Sequence, residues 1–208
     1  MSVKAAAFDF GGVISLPQDE QAMDDMARAA GIETSLMRRL YWGGRSRYDQ
    51  GLLSGEEYFR DILTGAGIVP PPGTLGKLVT RDLESWSRVN PQTEKLIRDL
   101  KAAGLTTAVL SNMPREFADR VAGTLPVLAL PDVRVYSCDA GAVKPGEAIY
   151  RILLSRLGIE AEELAFFDDL EANVASARTL GIAAFLWEGP EKAREELENR
   201  GVTFKEVP

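Results

Sequence analysis

The sequence predicts an α/β protein: a doubly wound parallel sheet with an all-helical segment inserted after its first strand. Three observations lead there. From Asn90 onward, short apolar runs alternate with longer amphipathic stretches, the pattern of strand-helix units on a parallel sheet. The apolar runs are continuous rather than alternating with polar residues, as expected of strands covered on both faces. Residues 17–89, by contrast, carry helical spacing with no convincing strand.

Residues 3–8 are a short buried strand. Residues 19–30 place Met23, Met26, Ala27 and Ala30 on one helical face, and Gly31 stops the helix. Residues 35–42 make a second, short helix. Gly51-Leu52-Leu53-Ser54 is a turn, and Ser54 with Glu57 forms a capping box for a helix through Leu63. Pro70-Pro71-Pro72-Gly73 breaks the chain before an amphipathic helix over 75–89. Pro91 then opens a helix that runs to Ala103 and ends at Gly104. A strand over 106–110 ends at Ser111-Asn112, and helix 115–121 and strand 133–136 follow. Helix 146–157 is closed by Gly158, strand 164–167 ends in Asp168-Asp169, and helix 171–180 is closed by Gly181. Strand 182–186 and helix 190–199 complete the pattern. The predicted organisation is a Rossmann-like core of residues 1–16 and 90–208 with a helical cap of residues 17–89.

A chain of 208 residues, 45% hydrophobic and 26% charged, suffices for one such domain and a small insert. A net charge of −7 without a basic stripe argues against nucleic acid as a partner. The absence of histidine removes Ser-His-Asp and Cys-His mechanisms and any His-ligated metal. The single cysteine, Cys138, excludes an intrachain disulfide and reads as a small core residue. The first apolar stretch is cut short by Asp9, too soon for a signal peptide, and no run approaches a membrane span. We therefore expect a cytoplasmic monomer or homodimer with no membrane partner.

In an open parallel sheet, ligands bind beyond the carboxyl ends of the strands. Asp9, Ser111-Asn112 and Asp168-Asp169 each follow a predicted strand, and Lys144-Pro145 lies in the loop after another. Each has a bland alternative: Asp9 a turn residue, Ser111 a cap, Asp169 the start of the helix near Glu171. Their joint placement is harder to dismiss. Oxygen ligands from Asp9, Asp168 and Asp169 suit a hard cation such as Mg²⁺. Ser111 can donate to a phosphoryl oxygen, and Lys144 supplies positive charge to the same group. Together these residues describe phosphoryl transfer through an aspartyl-phosphate on Asp9.

The chain resembles the haloacid dehalogenase-like hydrolase superfamily. Phe8-Asp9-Phe10-Gly11-Gly12-Val13 is similar to its first motif and Val109-Leu110-Ser111-Asn112 to its second. Val143-Lys144-Pro145 is similar to the third. Phe166-Phe167-Asp168-Asp169, with Asn173 and 177–181, is similar to the fourth. The resemblance covers nearly the whole chain in the family's order, and the long gap between the first two motifs matches the branch with a helical cap there. Within the family it points to small sugar-phosphate phosphatases and the phosphatase domain of soluble epoxide hydrolases. It implies a small phosphorylated metabolite as substrate. It also implies Mg²⁺ held by Asp9, Asp168, Asp169 and the backbone carbonyl of residue 11.

One departure stands out. The family usually has a second Asp two positions after the nucleophile as general acid-base, and here that position is Gly11. Such a group is worth about 10²–10⁴-fold in rate. Gly11→Asp is accordingly expected to raise turnover on poor leaving groups if the loop accepts it. Two alternatives stay open: a catalytically impaired binding or scaffold protein, which the glycine supports, and a 2-haloacid dehalogenase, the other reaction on this scaffold, which the paired Asp168-Asp169 oppose. In the cap, residues 41–48 read as a loop in which Arg45 or Arg47 meets a substrate anion and Trp42 or Tyr48 meets a sugar or ring; the alternative packs Trp42 in the cap core. Asn112 is the expected core residue for substrate contact. Trp86 and Trp187 are expected to be packing residues.

Overall fold

The computed structural model describes residues 3–204. Met1, Ser2 and residues 205–208, the outer ends of the predicted core ranges, lie outside the described residues. Strand β1 (Ala5–Phe8) leads into a tight turn over Phe10–Ile14. Helices α1 (Glu20–Ala30), α2 (Thr34–Asp49), α3 (Gly55–Gly65) and α4 (Thr74–Ser85) follow. The remainder alternates: α5 (Pro91–Ala102), β2 (Thr106–Ser111), α6 (Arg115–Arg120), β3 (Val133–Tyr136) and a one-turn α7 (Ser137–Ala140). Then come α8 (Glu147–Leu157), β4 (Leu164–Asp168), α9 (Glu171–Thr179), β5 (Ala183–Leu186) and α10 (Pro190–Glu198).

All five strands are parallel, in the order β3-β2-β1-β4-β5. Side chains alternate across the sheet with the period of two that strands impose. Phe8, Val109 and Phe167 pack on one face with Leu96, Ile97 and Leu100 of α5 and Leu197 of α10. Ala7, Leu110 and Phe166 pack on the other with Ile149 and Leu153 of α8 and Val174 of α9. This is the doubly wound α/β fold that the sequence predicts. Its topological switch point lies between β1 and β4, where ligand crevices form in such sheets. Among the described residues no helix is long and apolar enough to cross a membrane.

The inserted helices close a ring, with α1 packed on α2 and α4, and α3 packed on the same two. The capping box predicted at Ser54 and Glu57 is present. The two chain segments joining this ring to the sheet lie side by side: Ser15 and Val89 form an antiparallel bridge. Leu16 N donates to Arg88 O at 2.7 Å, and Asn90 N to Ile14 O at 2.8 Å.

The predicted elements shift in two places inside the insert. Helix α4 ends at Ser85, because Val89 belongs to this bridge rather than to a helical face. The larger difference is α2, one continuous helix of 16 residues through Gly43-Gly44, where a short helix and a loop are predicted. Each glycine costs a helix about 1 kcal/mol relative to alanine. That cost is offset by burial of Met37, Tyr41 and Tyr48 and by the Arg45–Asp49 pair one turn apart. Gly44 has a packing reason as well, since a Cβ there would meet the Tyr58 ring at 3.4 Å.

Candidate active site

Asp9 leaves the end of β1 with its Oδ1 accepting from the Phe10 amide at 2.6 Å. The backbone then folds back, and Ser15 N reaches Phe10 O at 2.7 Å. Gly12 makes this turn possible for two reasons. Its φ of 75° is left-handed, and a Cβ there would lie 2.6 Å from the Asp169 carboxylate. Gly12 stands in the quoted first motif, but only the three-dimensional approach of Asp169 reveals why the position is glycine.

Lys144 is nearly fully buried, and its ammonium faces three oxygens. Nζ donates to Leu110 O at 2.9 Å, lies 2.8 Å from Asp9 Oδ1 and donates to Asp168 Oδ2 at 2.6 Å. Burial opposes its charge, but the two carboxylates outweigh burial and raise its pKa above the ordinary lysine value. The backbone of Lys144 is clamped in turn by Asn112, whose Nδ2 donates to Lys144 O at 2.9 Å and whose Oδ1 accepts from Lys144 N at 2.8 Å. Asn112, expected to touch substrate, thus has both ends of its amide turned to Lys144, although it borders the cavity.

Asp168 is completely buried at the end of β4. Its Oδ1 accepts from Leu170 N at 2.9 Å and from Asn173 Nδ2 at 2.8 Å. The carboxylate that receives the first amide of this turn is therefore Asp168, leaving Asp169 exposed toward the cavity. Asn173 stands in the quoted fourth motif; its role as the bracket for Asp168 emerges only when α9 is docked beside β4. Tyr150 Oη fixes that turn by donating to Asn173 O at 2.9 Å.

Asp9, Asp168 and Asp169 each present an oxygen within 4.8 Å of the others. Three carboxylates face one ammonium, leaving an excess negative charge of two. Burial pushes the Asp9 carboxyl up to about 7 from 3.8, against the pull of Lys144, and Asp168 and Asp169 push it further. Burial and Asp168 also raise Asp169. A divalent cation among these oxygens would cancel the excess, so the donor set fits a hard metal such as Mg²⁺. Ser111, buried at the end of β2, borders the same space.

The cavity above this floor has a volume of about 600 Å³, within the range of small-molecule sites. Its roof comes from the insert. Arg38, Trp42, Arg45, Ser46 and Asp49 line it as a single stripe down α2. Arg45 is held on several sides: Nε donates to Asp49 Oδ1 at 2.8 Å, and Nη1 to Asp82 Oδ1 at 3.1 Å and to Tyr41 Oη. Segment 41–48 is thus a helical wall rather than a loop, and its arginine reaches the cavity already paired with two carboxylates. Arg47 does not border the cavity, and Tyr48 is stacked on Tyr58 with 4.5 Å between ring centroids. Trp42 is half exposed on the cavity wall rather than packed in the insert core. Trp187 packs edge-on against Phe8 and Phe167 as expected. Trp86 does more than pack. Its ring covers Gly11, where a Cβ would lie 3.2 Å from the indole. Gly11→Asp therefore requires the Trp86 ring to give by a few tenths of an ångström.

The family model for haloacid dehalogenase-like hydrolases matches residues 3–181. Bifunctional epoxide hydrolase 2 of Mus musculus is 26% identical over 100% of this chain and 41% of its own length. The chain thus spans about two fifths of that relative. A phosphatase of Mycobacterium tuberculosis is 26% identical over 89% of this chain and 88% of its own. Among solved structures, a HAD family enzyme of Bacteroides thetaiotaomicron complexed with magnesium and inorganic phosphate superposes with a TM-score of 0.68. It is 19% identical, over 88% of this chain and 93% of that one. Dehalogenases share the fold as well.

Proposed function

The chain belongs to the haloacid dehalogenase-like hydrolases, and on that premise we propose that it is a Mg²⁺-dependent phosphatase of a small phosphate monoester, with Asp9 as nucleophile. The observation that carries the reading is the Asp9–Lys144–Asp168 arrangement, with Asp169 beside it, at the floor of a cavity roofed by the insert. A phosphatase relative and a phosphate-bound structure of the same fold support it. Residues 17–89 act as a cap, and residues 1–16 with 90–208 as the core.

Asp9, Asp168, Asp169 and the Gly11 carbonyl would hold the metal. When bound, Mg²⁺ supplies positive charge that lets an anionic nucleophile meet an anionic phosphate. Lys144 favours the ionised form of Asp9 and orients it. Asp9 attacks phosphorus in line with the ester oxygen, forming an aspartyl-phosphate and releasing the alcohol. Ser111 donates to a phosphoryl oxygen. Water then attacks phosphorus and releases Asp9. A dehalogenase would bring a carboxylate substrate against three carboxylates and one lysine, which favours the phosphatase.

The test is hydrolysis of p-nitrophenyl phosphate with and without Mg²⁺, with Asp9→Asn as control. We expect Mg²⁺-dependent turnover that the substitution abolishes. Metal binding without turnover would instead leave the scaffold alternative.

A further inference from the structure

The proposed reaction needs a proton for the departing alcohol, and residue 11 has no side chain to give one. The Trp86 ring lies 3.2 Å from where a Cβ at that position would stand. The donor must come from elsewhere on the cavity wall. Five carboxylates border that cavity: Asp9, Asp19, Glu20, Asp49 and Asp169. Asp9 and Asp169 belong to the acidic cluster on the floor. Asp19 accepts from Gln21 N as the N-cap of α1, and Glu20 is exposed. Asp49 differs from all four.

Asp49 is buried at the last position of α2, with 7% of its surface exposed. Its backbone carbonyl accepts from Ser137 Oγ, which itself accepts from Met113 N at 2.8 Å. Asp49 is thereby pinned to the rim of the sheet, beside the loop that follows Ser111. Its Oδ1 is taken by Arg45, whereas its Oδ2 has no hydrogen-bond partner among the described residues. A buried carboxyl that borders the cavity with one oxygen committed and the other unpaired is equipped to pass a proton.

We propose that Asp49, carried on the helical insert, is the general acid-base that position 11 lacks. This rests on the phosphatase reading above. As Asp9 bonds to phosphorus, the bond from phosphorus to the ester oxygen breaks, and its electron pair stays on that oxygen. The oxygen takes the Asp49 proton and leaves as the neutral alcohol. Asp49, now a carboxylate, removes a proton from the attacking water. The phosphorus–Asp9 bond breaks with its electrons returning to Asp9, and Asp49 is protonated again.

The surroundings of Asp49 suit this cycle. Burial raises its pKa to about 6 from 3.8; Arg45 on its own helix and Lys144 of the core pull it down, and Asp82 of α4 pushes it up. The Tyr48 and Tyr58 phenols, raised far from ionisation, are the other titratable groups coupled to it. Both protonation states are thus accessible near neutral pH, as a group that gives and then takes a proton requires.

The test is kcat/KM over pH for substituted phenyl phosphates, from the p-nitrophenyl to the p-methoxyphenyl ester, for the wild type and Asp49→Asn. We expect the substitution to cost about 10²-fold on the p-methoxyphenyl ester, and about threefold or less on the p-nitrophenyl ester. The wild-type decline of the poor ester above pH 6 should be absent in the variant. Equal loss on every ester would make Asp49 a positioning partner of Arg45 and overturn the proposal, as would no loss. Arg45→Gln is the second variant: it removes the cation that holds Asp49 down, so the alkaline decline should move to higher pH. An unmoved decline would also overturn the proposal. A wild type inactive on every ester would remove the phosphatase reading, and this inference with it.

Discussion

In metal-free protein the floor of the site should oppose folding more strongly as pH rises, and Asp9 provides the measure. Its carboxyl titrates at about 7 in the fold and at 3.8 in the open chain. Between those values the folded state binds the extra proton, so stability is lost as pH climbs through that window. The gap, at 1.36 kcal/mol per pH unit, amounts to about 4 kcal/mol in full. Between pH 5 and pH 8 alone, linkage gives a loss of about 3 kcal/mol. Asp9→Asn cannot titrate, so it should gain about that much relative to the wild type across the same interval. The assay is urea denaturation of both proteins in a chelator at several pH values. Added Mg²⁺ should restore the wild type at pH 8 and help the variant far less, because binding to the folded state alone stabilises it. A difference between the two proteins that does not change with pH would refute the reasoning. It would mean that Lys144 neutralises Asp9 completely and that no excess charge awaits a cation.

Three further outcomes follow from the geometry. Gly12→Ala places a methyl 2.6 Å from the Asp169 carboxylate at a left-handed φ; it should destabilise the protein by about 1–3 kcal/mol and weaken Mg²⁺ binding, read by calorimetry. Asn112→Ala removes both bonds to the Lys144 backbone, about 1–3 kcal/mol in net stability, and should lower kcat more than it raises KM. Gly11→Asp alone should lower activity on p-nitrophenyl phosphate, because Trp86 must move. Adding Trp86→Ala should recover part of that loss, and unchanged activity in the single variant would contradict the packing of Trp86 on Gly11.

The core was legible because its signals are local. Pro91, Gly104, Gly158 and Gly181 punctuate the second half of the chain, and the continuous apolar strands announce a sheet covered on both sides. The residues at strand ends could be read the same way, since a strand that stops at Asp9 or Asp168 fixes where its side chain emerges. The insert was harder. Gly43-Gly44 read locally as a break, but Tyr41, Tyr48 and the Arg45 network stabilise the helix through contacts with α3 and α4 that no window of sequence contains. The one local hint was the spacing of Arg45 and Asp49, four apart as a helical ion pair requires. Asp82 and Trp86 gave no hint at all: each acquires its role from a partner 37 to 75 positions away.

The bridge between Ser15 and Val89 bears on how such a chain came to be built. Because entrance and exit of the insert are neighbours in a ladder, the sheet meets more than seventy residues as it would meet a hairpin turn. The ends need no long loop to bring them together, so the entropy of closing the insert falls on the insert's own packing and not on the core. Such a joint lets the sheet set its register without reference to the length of chain between these two points.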